Sequence, residues 1–302
     1  MKICNGTIVV SMDPHLYNIV SLTIACLICV GNMLLSIPLL VAICRSPSLL
    51  GKPRFLFLFH LLVCDALQLV IPLARAALLT SRLTMPVTQC VVLMSADQFL
   101  VMVALLLRAA LSLDRCVAIR LPLHYEALLS PVRLRVVVVL VWTLPLLMSV
   151  VTMWVMLDRV HMDAAIPLCL LYVVVCGTLW DLGPVIIFYM AVSVLLLPVS
   201  FLTILGCFVL LCYQTRGQLC SQRTAGVTLA MQAVQMVIHA MSMVLSTTNL
   251  LSSEKNEQWS LATSITYTLG ISLISLVYGY RSQELRCRLL KPLVCSQVNT
   301  SQ

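Results

Sequence analysis

The sequence predicts an all-α membrane protein, a seven-transmembrane helix bundle with a short amphipathic C-terminal helix. Three observations carry this. Of 302 residues, 61% are hydrophobic and only 10% charged, and mean hydropathy is +1.05, far from the composition of a soluble domain. The apolar residues gather into runs at about 17–44, 54–79, 87–114, 133–157, 184–212, 224–251 and 259–280, each long enough to cross a bilayer, for which about 20 helical residues suffice. The runs lack polar/apolar alternation and far exceed the roughly ten residues of a barrel strand. Helices, which satisfy their own backbone polar groups, are the remaining solution. One bundle domain over 1–302 is expected, with 281–302 as its tail.

Ahead of the first run stand Asn5, Asp13, Pro14 and His15, which do not form a cleavable signal pattern, so this run is expected to insert as a signal anchor. Orientation follows from Lys and Arg. The segments after spans one, three, five and seven carry thirteen of them, from Arg45 to Lys291, against four, Lys2, Arg82, Arg159 and Lys255, on the other side. That bias places the N-terminus outside and the C-terminus in the cytosol, and the net charge of +8 reads as topology, with attraction to anionic inner-leaflet lipid as a by-product. Asn5-Gly6-Thr7 is then a glycan acceptor on the outer side, whereas Asn299-Thr300-Ser301 faces inward and stays silent.

Most of the 14 cysteines lie in spans, where Cys acts as a small apolar residue. Only those at the oxidising side can pair. Cys90, at the outer end of span three, is expected to bond Cys169 or, alternatively, Cys176 in the loop after span four, with Cys4 to spare. The outer loop at about 158–183 also carries Asp158, Arg159, His161 and Asp163, read as a solvated face.

Charges within spans need partners, because each costs about 2.5–3.5 kcal/mol near mid-bilayer on insertion scales. Asp97, Arg108 and Arg115 on span three are separated by 11 and 7 residues, which at about 100° per residue places them on one stripe facing the bundle. Arg75, in the outer half of span two, can neutralise Asp97 directly. Three roles stand open for Arg108: a pair with Asp65, a constitutive opening of the bundle, or contacts to backbone carbonyls. Span six presents Thr228, Gln232, Gln235, His239, Ser242 and Ser246 at spacings of three or four, a stripe suited to interhelical hydrogen bonds. His239 and Ser242 are deep enough to reach a ligand as well, as are Ser264 and Tyr267 on span seven. From Arg281, RSQELRCRLL forms an amphipathic helix along the inner leaflet, with Leu285, Leu289 and Leu290 downward, and Cys287 or Cys295 is a candidate for acylation.

The stretch LSLDRCVAIRLPLHY, Leu111 to Tyr125, ends span three on an adjacent acid and base. By itself the pair has a structural reading, since Arg complements the helix C-terminus and reaches headgroups while Asp pairs with it. The residues that follow resemble the DRYVAI-x-x-PLHY signature of rhodopsin-like G-protein-coupled receptors, specifically their odorant-receptor branch. Agreement covers nine of twelve positions: Asp114, Arg115, Val117, Ala118, Ile119, Pro122, Leu123, His124 and Tyr125. Pro53 with Asp65 twelve residues on, Gly31-Asn32, Trp142 and Leu276 to Arg281 are similar to further landmarks of that family, so the resemblance runs from about 25 to 292.

The resemblance implies a receptor in the plasma membrane that binds a small extracellular ligand, takes no cofactor, and activates a heterotrimeric G protein. In it Asp114 restrains and Arg115 switches, extending toward the G protein when the helices part, with Pro122 and Tyr278 in the same machinery. Asp97 lies about 10 Å inward of Cys90, where pockets of the family open, and matches the Asp that binds an ammonium in aminergic receptors. The ligand candidates are therefore an amine on Asp97, an acid on Arg75, or a neutral odorant. Asn32 and Asp65 match a central polar pair that binds sodium in many members, but Ala104, Gly270 and Ile274 stand where polar partners are common. A sodium site and an Asp65 that is neutral or hydrogen-bonded to Asn32 both remain readings.

Ile274 and Ser275 occupy the places of the family's Asn-Pro before Tyr278, so the helix there keeps a hydrogen bond and kinks less. Span six carries neither Pro nor Trp. A divergent receptor with a non-olfactory role, or a weakly signalling copy, is the alternative. A transporter is disfavoured because paired repeats and broken helices are missing. A retinal-binding opsin needs a Lys that 259–280 does not contain, and no GxSxG or HExxH supports a hydrolase.

Overall fold

The computed structural model describes residues 8–9, 14–81, 85–121, 125, 130–159, 165–166, 195, 198–207, 209–210, 213, 234, 237–238, 241, 255–256, 262, 265–266 and 268–270. The long elements are helices: α1 (Pro14–Cys44), α3 (Pro53–Thr80), α4 (Val87–Arg120) and α5 (Pro131–Arg159), with a single turn α2 (Pro47–Leu50) between the first two. Each of the four is long and apolar enough to cross a membrane, and the helix Pro198–Cys207 falls within the fifth apolar run. The amphipathic C-terminal helix lies outside the described residues.

Proline sets the helix starts. Pro14, Pro47, Pro53 and Pro131 each occupy the first helical position, where the missing N–H costs nothing and φ is already helical. Between α1 and α3 the chain turns tightly: the Ser46 carbonyl accepts from the Leu49 amide at 2.8 Å, and the Lys52 carbonyl accepts from Phe55 at 3.0 Å. α4 ends as the Leu121 amide bonds the Val117 carbonyl at 2.9 Å, and Arg120 in its last turn complements the dipole. Pro38, Pro72 and Pro145 lie inside α1, α3 and α5, each removing one ladder hydrogen bond.

Periodicity decides which face points inward. Along α1, Cys29, Asn32, Ser36, Leu39 and Ile43 are buried, while Leu27, Val30, Leu34, Ile37 and Val41 are exposed. Both sets step by three and four residues, the inward and outward stripes of one helix. The outward residues are apolar because their solvent is lipid. α1 packs on α3, α3 on α4 and α4 on α5, so among the described helices α3 and α4 lie between α1 and α5. The core unites Leu39, Ile43, Phe55, Leu58, Leu61, Leu62, Val103, Leu107 and Leu111 with residues of α5 such as Val141.

Two short strand pairs tie segments at the helix ends. β1 (Ile8–Val9) runs parallel to β4 (Lys255–Asn256), and β2 (Met85–Pro86) antiparallel to β3 (Ala165–Ile166). The first pairing sets the residues ahead of α1 on the same side as the link between the sixth and seventh apolar runs.

Candidate functional site

The interface of α3 and α4 carries polar layers at three depths. The charged residues of α4 recur at 11 and 7 residues, so the layers are spaced by about 16 Å and 10 Å along the helix.

The outermost layer is a pair. The Arg75 Nη2 donates to Asp97 Oδ2 at 3.4 Å, with the two side chains 29% and 23% exposed. Arg75 sits three residues beyond Pro72, whose nitrogen cannot bond the Gln68 carbonyl, and this places it where α3 has lost one constraint. Arg75 Nε and Asp97 Oδ1 make no hydrogen bond among the described residues. One helical turn above Phe99, the Ser149 hydroxyl of α5 donates to the Ser95 carbonyl at 2.6 Å and fixes α5 beside this layer.

The middle layer is closed. Arg108 Nη2 donates to Asp65 Oδ1 at 3.2 Å, with side chains 2% and 0% exposed. Arg108 is the largest fully buried side chain among the described residues. The Cys64 thiol beside Asp65 donates to the Leu100 carbonyl at 3.2 Å, and Ser112 donates to the carbonyl of Arg108 at 3.0 Å. Of the roles open to Arg108, the pair with Asp65 is the observed one. The positive charge that Asp65 meets is thus a guanidinium of the chain itself. Asn32 is buried on α1.

The innermost layer is built around Asp114. Its Oδ1 accepts from the Tyr125 hydroxyl at 2.7 Å, and the positive charges of Arg115 and Arg54 act on it. Asp114 is buried, whereas Arg115 and Tyr125 are half-buried. Burial first, then the hydrogen bond to Asp114, raises the Tyr125 hydroxyl above its ordinary value and holds it protonated, as the donor this contact requires. Tyr125 belongs to the stretch that carries the resemblance, but helix periodicity does not reach it. Its signal is a phenol placed eleven residues after a boundary Asp.

Trp142 anchors α5 to the same interface. Its ring meets His60 of α3 at 6.0 Å and Phe99 of α4 at 5.9 Å between centroids, edge-on or tilted as aromatic quadrupoles favour.

The described part of the chain thus holds membrane-length helices, one charged stripe and a boundary Asp-Arg pair engaged by Tyr125, which follows α4. Residues 31–278 match the model of the 7 transmembrane receptor (rhodopsin family). The chain belongs to this family.

The receptor is accordingly a multi-pass membrane protein with the seven-helix fold, whose partners are a ligand and a G protein, and it is not an enzyme. Its Cys90, buried at the start of α4, is disulfide-bonded. The expected partners Cys169 and Cys176 lie outside the described residues, as do Asn5, Pro122, His239, Ser242, Ser264, Tyr267 and Tyr278. Of the residues expected at the central polar position, Ala104 is buried in the core, and a Cβ on Gly270 would meet Ile238 Cγ2 at 3.2 Å, so that helix approaches its neighbour closely. Among the described residues no cluster of metal-ligating side chains occurs.

Proposed function

We propose that the chain is an odorant-receptor-like member of the family that binds a small extracellular ligand and activates a heterotrimeric G protein at the plasma membrane. The observation that carries this is the inner layer. Asp114 is buried and bound by Tyr125, which holds the Asp-Arg pair in a restrained state from which Arg115 can be released. Agonist acts by contacting the inward-open arrangement better than the closed one. The G protein then engages Arg115, the Pro122–Tyr125 segment and the inner ends of spans five and six, with Asp114 and Tyr278 in the switch.

The ligand sits among the outer halves of spans two, three, five, six and seven, against Arg75 and Asp97, with His239, Ser242, Ser264 and Tyr267 completing the lining. This reading is supported by the part-exposure of Arg75 and Asp97, in contrast to the closed layer beneath. It is also supported by the exposed Val234, Val237 and Met241, which at about 100° per residue fall roughly opposite the polar stripe of the same span. The N-terminus lies outside, with a glycan on Asn5 and a Cys90–Cys169 disulfide (Cys176 the alternative). The C-terminus lies inside, and the whole of 1–302 is one domain.

A second reading, a divergent receptor with a non-olfactory role or weak signalling, draws on the Arg108–Asp65 pair, a sealed crosslink that resists separation of α3 from α4. The deciding experiment is nucleotide exchange on G proteins in membranes holding the full chain, with a panel of odorants and with Arg115→Ala alongside. Odorant-stimulated exchange that disappears in Arg115→Ala supports the first reading. Exchange that no odorant raises, in a receptor verified at the cell surface, defeats it.

A further inference from the structure

The outer layer contains more chemical information than its role as a lining supplies. In the outer half of α3 the one charged residue is Arg75, and in α4 between Cys90 and Ala104 it is Asp97. They face each other through one contact, Nη2 to Oδ2 at 3.4 Å, longer than the roughly 2.7–2.9 Å of a good charge-assisted bond. A guanidinium has five N–H donors and a carboxylate about four acceptor positions, and both Arg75 Nε and Asp97 Oδ1 lack a hydrogen bond among the described residues. The pair is loosely made, part-accessible and has unused capacity on both members. The middle layer differs on the point that matters for a ligand, since Arg108 and Asp65 are sealed.

Charge accounting then restricts the ligand. A cationic amine that takes Asp97 must pull it from Arg75 and leave the guanidinium without its counter-charge in a site only partly open to solvent, and a carboxylic acid that takes Arg75 does the same to Asp97. Removing one partner of an ion pair is costly in proportion to its burial, and although solvent screens part of the cost here, the shielded Arg75 Nε and Asp97 Oδ1 keep its sign. A molecule with both charges inserts between the two, leaving four charges in two pairs and no net change. An α-amino acid, with carboxylate and ammonium flanking one carbon, has the short separation that a slightly opened Arg–Asp pair accepts.

We propose that Arg75 and Asp97 together form the recognition element for a zwitterionic ligand of the α-amino-acid class, Arg75 taking its carboxylate and Asp97 its ammonium. The assignment rests on the receptor reading above, and it replaces the choice between amine and acid with a requirement for both groups. With the pair closed, the empty receptor keeps each charge neutralised. With the ligand bound, the two helices are bridged through it.

The test uses the full-length receptor purified in lipid nanodiscs and the twenty L-α-amino acids, each matched with its decarboxylated amine and its deaminated acid. Binding is read by thermal stabilisation and by competition between compounds. At least one amino acid is expected to bind tenfold or more tighter than both of its singly charged counterparts. Arg75→Gln, which leaves Asp97 unpaired, is expected to shift preference to the amine, and Asp97→Asn to the acid. A merely structural pair would not produce this reciprocal exchange of preference.

An amine or acid binding as tightly as its amino acid overturns the proposal, and so does the failure of every amino acid to bind. Binding that both substitutions leave unchanged has the same effect. The wild-type comparison decides even if a variant fails to fold. Nucleotide exchange by the same ligand-free preparation, with and without Arg115→Ala, reports separately on G-protein coupling, so a failed ligand assignment is distinguishable from a failed receptor reading.

Discussion

Replacing Arg108 by Leu tests whether the guanidinium is the neutralising partner of Asp65 or a passenger in the core. The pair has one contact of 3.2 Å, and its side chains are 2% and 0% exposed, so water does not reach either charge. Taking away one member of a buried pair costs about 3–5 kcal/mol, because the remaining charge is left uncompensated. Removing both charges in Arg108→Leu/Asp65→Asn avoids that penalty, since no uncompensated charge is left in the core. The double variant is therefore expected to recover at least about 2 kcal/mol of the loss in the single one. The assay is thermal unfolding of the purified receptor followed by fluorescence of its 4 tryptophans. Run in sodium and in choline, it also separates the cation readings. Wild type is expected to be indifferent to the exchange, since its own guanidinium occupies Asp65, whereas Arg108→Leu gains a sodium-dependent stabilisation. A single variant as stable as wild type, or a double variant no better than the single, would refute the reasoning.

Further expectations concern the inner layer and the packing. Tyr125→Phe removes a 2.7 Å hydrogen bond to a buried carboxylate, of a kind worth about 1.5–3 kcal/mol, and is expected to raise agonist-independent nucleotide exchange. Because the folded Tyr125 hydroxyl is raised above its ordinary value, its contribution is complete below the unfolded value of about 10 and is lost only as pH rises through the higher folded value. Basal exchange attributable to this contact is expected to be flat from pH 6 to about 9. A Cβ on Gly31 meets nothing within 4 Å, so Gly31→Ala is expected to stabilise α1 by roughly 0.5–1 kcal/mol through lower chain entropy, read as a raised unfolding temperature. Ser149→Ala deletes the 2.6 Å bond to the Ser95 carbonyl and is expected to cost about 1 kcal/mol in the same measurement.

Much of the architecture is legible in the chain because a bilayer imposes it. Apolar runs at 17–44, 54–79, 87–114 and 133–157 stand beside helices Pro14–Cys44, Pro53–Thr80, Val87–Arg120 and Pro131–Arg159, since length and hydropathy alone define such a segment. The alignment of Asp97, Arg108 and Arg115 is legible too, because it is a property of one helix. Partners across helices are less so. Arg75 could be matched to Asp97 by depth, there being one acid and one base at that level. Arg108 could not be settled among a pair with Asp65, a constitutive opening of the bundle and backbone carbonyls, because the rotation and axial register of α3 against α4 are fixed by side-chain packing of Phe55, Leu58, Leu62 and Leu107, which single-helix periodicity does not encode. The motif marks Tyr125, but its bond to Asp114 is not legible for a related reason: a residue beyond α4 returning to that helix is a tertiary event. The aromatic contact of Trp142 with His60 and Phe99 belongs to the same kind, for the motif marks Trp142 but names neither neighbour.

The pairing of Ile8 with Lys255 and of Val9 with Asn256 has a practical consequence for handling the molecule. The leading segment is stitched to the connector that joins the last two crossings, so a fusion partner or antibody pulling ahead of residue 8 transmits its load to that connector. Epitope tags on this side belong upstream of a long pliant spacer, and trimming the chain back to α1 would unstitch a distant part of the bundle.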